Sequence, residues 1–161
     1  MNLTSQIAKH FHDIHFGGNW TCVNLKESLA GVTWQQATTE VYSLNTIATL
    51  VFHINYFVEV ALKVMQGGPL EGHDSLSFSH PPITCAADWE KMLGKVWADA
   101  EAFSPLVAQL PEHQLLENFG AEKYGNYYRN IAGIIEHSHY HLGQIVVIKK
   151  ILLQMNDKTN A

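Results

Sequence analysis

A helical apolar period runs almost unbroken through residues 124–155, and this stretch sets most of the fold. At ~1.5 Å per residue, a helix of that extent reaches roughly 45 Å. In a chain of 161 residues, such a rod covers its apolar side best against other long helices. Three further patterns supply them. The first spans residues 4–16, with Ile7, Phe11 and Ile14 at helical spacing and Gly17-Gly18 as its stop. The second starts near Ser43 or Asn45, both good N-caps. It carries Leu44, Ile47, Val51, Ile54, Val58, Ala61, Leu62 and Met65 before Gly67-Gly68-Pro69 ends it. The third is capped by Thr84, with Asp88 and Glu90 at the positive end of the helix dipole. Its stripe is Trp89, Met92, Leu93, Val96 and Trp97, continuing to Leu106 and Leu110.

Shorter elements fill the connections. Helical turns are expected near Leu25–Leu29 and from Pro111 to Leu116, and Thr33-Trp34-Gln35-Gln36 has capping-box spacing. Residues 67–84 form a long loop, a length that often lines a site; the alternative is a plain surface connection. The tail, residues 156–161, is polar and expected to fray. Strand-length alternation and hairpin dipeptides are scarce. The expected fold is all-α: a four-helix bundle with short extra helices in the connections, forming one domain over residues 1–161.

Composition narrows the function classes. The net charge is -5, and Arg129 is the single arginine. Phosphate binding needs clustered Lys and Arg, so no nucleic-acid partner is expected. Cys22 and Cys85 match no zinc or redox spacing and read as free thiols, small and buried, in a reducing compartment. The first residues lack a basic region followed by an apolar one, so no secretory signal is visible. The most apolar run, residues 44–65, is interrupted by Asn45, His53, Asn55, Glu59 and Lys63. No membrane partner is expected, and the cytoplasm is the expected location.

Chemistry concentrates in the histidines, of which there are 10. His137 and His141 stand four residues apart in the last helical pattern. That spacing puts both imidazoles on one helix face, about a turn apart, as a metal ion requires. His53, inside the apolar second helix, is the candidate third ligand. A lone buried imidazole reads more readily as a core side chain satisfied by a hydrogen bond. The second helix-borne pair shifts the reading to a three-His site. His139 faces away from the pair, because two residues turn a helix by ~200°. His10, His12 and His15 form no such pair and are expected to be solvated or partly packed; His73, His80 and His113 are expected on the surface. His73-Asp74 spells a known phosphohydrolase dipeptide, but in a Gly-rich loop rather than a helix.

Gln144 shares the face of His137 and is a candidate to hydrogen-bond a ligand imidazole or a metal-bound water; the alternative is a partly exposed helix residue. Tyr56 and Tyr140 flank the proposed site, as core aromatics or as donors to a ligand. Three neutral imidazoles leave a metal its charge and at least one open position, the layout of a catalytic site. One divalent transition metal per chain is expected, with zinc, nickel and iron all acceptable to imidazole. No Ser, Cys or Lys is clearly placed as a nucleophile. Glu136-x-x-His139 matches half of a di-iron carboxylate unit, but no second such unit occurs.

With these residues in place, the chain resembles the DinB/YfiT-like superfamily of metal-dependent four-helix-bundle proteins. His53 on the second long helix, His137-x-x-x-His141 on the last, and Gly143-Gln144 after it match that family's pattern. Gly17-Gly18-Asn19-Trp20 with Leu25 to Leu29 is similar to the segment after the first helix in one bacterial branch. The resemblance covers almost the whole chain. It departs where many relatives carry Arg directly after the last His, since Leu142 stands there. What it implies is a metal-dependent enzyme acting on a small molecule and pairing as a homodimer. The implied reaction is transfer of a low-molecular-weight thiol, as in bacillithiol or mycothiol S-transferases, or hydrolysis. A bundle that binds a metal or small ligand without turnover is the competing expectation.

Overall fold

The computed structural model describes residues 2–159, and of residues 156–159 the backbone alone. Among the described residues there are six α-helices and no strand: α1 Leu3–Phe16, α2 Leu25–Leu29, α3 Trp34–Thr38, α4 Ile47–Met65, α5 Ala86–Gln109 and α6 Tyr127–Thr159. The expected all-α class is what forms. The principal helix contacts close a ring: α1 packs on α5, α5 on α4, α4 on α6, and α6 on α1. Phe11, Ile14, Ile47, Leu50, Ile54, Phe103, Ile131 and Ile145 fill its interior. The Phe11 and Phe103 rings meet edge-on at 4.8 Å between centroids, a favoured aromatic geometry.

Local chemistry explains where the boundaries moved. Neither Ser43 nor Asn45 caps α4. Thr46 does, its hydroxyl accepting from the Thr49 N–H at 3.1 Å. The buried stripe begins one residue later at Ile47, whereas Leu44 remains 46% exposed. Cys85, not Thr84, occupies the N-cap of α5. Asp88 reaches back instead, accepting from the Thr84 N–H and hydroxyl, both at 2.9 Å, and from the Cys85 N–H at 3.2 Å. These bonds hold its carboxyl below the usual range. The last helix starts at Tyr127 rather than 124, because Gly125 takes φ 76° and Asn126 then caps the Arg129 N–H at 2.8 Å. Glycine adopts that left-handed conformation without steric cost. The tail expected to fray continues as helical backbone through 159, and residues 160–161 lie outside the described residues.

The Thr33–Gln36 capping box, the Leu25–Leu29 helix and the short turn over Glu112–Leu116 occur as expected. Two burial expectations are overturned. Cys22 and Cys85 are free but exposed, not small buried side chains. His15 is fully buried. The α1 stripe wraps far enough to take it inside, against Phe11. By length and hydropathy α4 is apolar enough to cross a membrane, and 61% of that window is buried within this fold. Its interruptions at His53 and Asn55 are themselves buried, so polarity along α4 does not mark a solvent face.

Candidate metal centre

His53 projects from α4, and His137 and His141 from successive turns of α6. The α4–α6 contact therefore brings the three imidazoles together. Their ligand nitrogens all lie within 4.8 Å of one another. Ring centroids are separated by 4.7 Å for His53–His137, 4.7 Å for His53–His141 and 4.5 Å for His137–His141. His53 and His141 are buried, and His137 is half-buried. No other group of His, Cys, Asp or Glu among the described residues converges in this way.

Hydrogen bonds fix which nitrogen of His53 and of His141 faces inward. The Ser77 hydroxyl donates to the Asp74 carbonyl at 2.6 Å. It is thereby left to accept from His53 Nδ1–H, 2.8 Å away. His53 Nε2 then carries the lone pair. Gln144 does the same for His141: its Oε1 accepts from Nδ1–H at 2.7 Å, leaving Nε2 free. A metal-binding imidazole normally donates its second N–H in this manner. Gln144 is partly exposed, and it makes a hydrogen bond to the His141 imidazole. Phe78 stacks on His53 at 3.9 Å between centroids, and Phe57 meets it edge-on at 5.2 Å.

The donor set fits a cation. Nε2 of His137 lies 2.9 Å from Nε2 of His53, so a proton or a positive ion is needed between their lone pairs. Two nitrogens each ~2.0–2.1 Å from one ion stand about 2.9–3.4 Å apart at the usual coordination angles. Nδ1 of His137 is buried with no hydrogen-bond partner, so this ring is the least anchored of the three. Burial, and then the neighbouring imidazoles, drive His137 down to about 4. Burial followed by His141 lowers His53 as well. Near neutrality both rings are uncharged, the form that binds metal.

The cluster opens into a cleft of about 640 Å³ whose wall includes Asp74, Phe78, Arg129 and Tyr140. Tyr140 was a sequence candidate, and its ring lies 4.8 Å from that of His141. Tyr56 is corrected: it lines a separate cavity of about 310 Å³ between α4 and α5, not the histidine cleft. Its hydroxyl accepts the His73 N–H at 2.8 Å and so ties the long loop to α4. Of the two readings of that loop, the one in which it lines the cleft is what forms. Its contributions, Asp74, Ser77 and Phe78, carry no periodicity by which the sequence could flag them. His139 turns away, 5.8 Å from the ring of His10 on α1. Glu136 lines a different hollow, so the Glu136-x-x-His139 unit takes no part. Leu142 is buried in the core. No known protein family, curated protein or solved structure matches this chain.

The supporting hydrogen bonds give a graded expectation. Ser77→Ala leaves His53 Nδ1 without its acceptor, and Gln144→Leu does the same for His141. Each is expected to weaken zinc binding about 10–100-fold, read by competition against a chromogenic chelator. Unchanged affinity in both variants would show that the tautomers are set elsewhere.

Proposed function

We propose that this chain is a metal-dependent enzyme of the DinB/YfiT-like kind, a four-helix bundle that activates a small thiol, or water, for attack on a small electrophile. The observation that carries this reading is three inward-facing imidazoles at the base of an open cleft. The closed ring of α1, α5, α4 and α6 supports the bundle assignment. One zinc, nickel or iron ion per chain is the proposed cofactor. His53, His137 and His141 would hold it as neutral imidazoles, and it would supply Lewis-acid activation of a thiol or water.

The protein's own groups complete the arrangement. Asp74 is the one carboxylate on the cleft wall, and we assign it to take the proton that the nucleophile releases. Phe78 and Phe57 wall His53 with apolar surface, which strengthens electrostatic interactions there by excluding water. Exposed Leu44, Tyr140 and Val147 share one groove, the face assigned here to homodimer pairing.

Turnover is tested with metal-loaded protein, a low-molecular-weight thiol and a bimane electrophile. Thiol consumption above the uncatalysed rate, lost in His53→Ala, is the expected result. A full metal complement with no turnover over a panel of thiols and hydrolysable esters would favour the binding bundle without catalysis.

A further inference from the structure

Arg129, Gly133, His137 and His141 recur every four residues along α6. That is one ridge of a helix, with about 6 Å between successive members. Helical side chains ordinarily lean toward the N-terminus. Arg129 instead runs the other way. Its Nη1 lies 3.3 Å from where a Cβ at Gly133 would stand, so the guanidinium lies over Gly133, the next member of the ridge. Any side chain at 133 would crowd that course.

Two further features mark this arginine. It sits in the first turn of a 33-residue helix, where the helix dipole is positive and a cation is unfavourable. Among the described residues no carboxylate pairs with its guanidinium, and the Arg129 backbone N–H donates to Asn126 at 2.8 Å. Arg129 is exposed, a cation at the positive end of a helix that lines the histidine cleft and departs from the usual placement of charges along a helix. Such violations gather at functional sites. An anion seated there satisfies both the guanidinium and the helix terminus.

We propose that Arg129 anchors a carboxylate of the substrate, so that the cleft takes small monoanionic carboxylates whose reacting atom lies at the three-His centre. The planar guanidinium fork matches a carboxylate in a bidentate pair. Asp74 on the same wall disfavours a dianion such as a phosphate monoester. Because the ridge puts Gly133 about one helical turn below His137, the substrate spans a short aliphatic distance between its anion and its reactive end.

The inference rests on the metal-site reading, and its test separates the two. Cobalt-loaded protein is titrated with ω-mercaptocarboxylates of increasing chain length and with the matching uncharged mercaptoalcohols, following thiolate-to-cobalt absorption. In the wild type the best carboxylate is expected to bind about tenfold or more tightly than its alcohol. In Arg129→Met that gap closes while both thiols still give the absorption band, and Arg129→Lys restores only part of it. Thermal stability of Arg129→Met stays level or rises, since a cation leaves the positive helix end. Equal affinities in the wild type, or a gap that persists in Arg129→Met, would overturn the role of Arg129. Absence of the band with every thiol in every protein would instead sink the metal site itself.

Discussion

Alanine at His53, His137 or His141 is expected to strip the protein of its metal. Wild-type protein purified without a His-tag should carry about one first-row transition metal per chain, and each variant should carry none detectable by elemental analysis. The expectation follows from the geometry: each ring supplies one of three nitrogens, in a group that no further His, Cys, Asp or Glu among the described residues joins. His139→Ala is the control. It lies between His137 and His141 in sequence yet faces α1, so its metal content is expected to match the wild type. Binding to the native state alone stabilises by mass action, about 4 kcal/mol at a thousandfold excess over the dissociation constant. For a domain of this size that is on the order of 10 °C in melting temperature. Saturating zinc should therefore raise the melting point of the wild type and leave the three variants unmoved. Helical circular dichroism should survive in all of them, because the ring of helices is filled by Phe11, Ile54, Phe103 and Ile145 rather than by the histidines. A variant that loses one ring and still holds a full equivalent of metal would show that the cluster is not the site.

The reach of the sequence follows from what periodicity can encode. His137 and His141 lie on one helix, so a fixed angular spacing joins them before any tertiary structure is known. His53 joins them because α4 and α6 each carry a continuous apolar stripe, and stripes of that kind must face something. Gln144 was legible for the same reason, three residues past His141 on the same helix. Ser77, Phe78 and Asp74 were not, since their positions depend on how a loop folds over α4 and is tied there by Tyr56. Tyr56 itself shows the limit of flanking arguments. It lies three residues from His53 on the same helix, yet α5 and the loop draw it into a different cavity. Helix ends shifted wherever side-chain capping competes among neighbours, as with Ser43, Asn45 and Thr46. Arg129 stood in view as the one arginine, four residues from Gly133 on the same ridge as His137 and His141. The course of its side chain over Gly133 carries no periodicity that a sequence could show.

Acid should unfold the metal-free protein earlier than its carboxylates alone would require, and His15 is the main reason outside the metal centre. His15 is fully buried on α1. Its Nδ1–H donates to the Phe11 carbonyl at 3.0 Å, and its Nε2 is buried with no partner. Protonation would create an unpaired N–H and a charge inside the core. Burial accordingly drives its pKa from 6.5 to about 4. The unfolded chain binds a proton near 6.5 and the folded chain only near 4, so stability is untouched above the first value and falls as pH drops between the two. The full loss, reached below about pH 4, is about 3 kcal/mol. Roughly 2 kcal/mol of it is already lost at about pH 5. His53 and His137 add losses of the same sign in the metal-free protein, so the His15 share must be isolated by comparison. In His15→Leu the titrating group and the unpaired nitrogen both disappear, while the Phe11 carbonyl keeps its helical N–H donor. Denaturant melts of metal-free wild type and His15→Leu, at neutral pH and near pH 5, should show a variant whose stability depends on pH less steeply by that same ~2 kcal/mol. Parallel pH dependence in the two proteins would mean that His15 takes up its proton in the folded state as readily as in water, contrary to its position between Phe11 and Phe16.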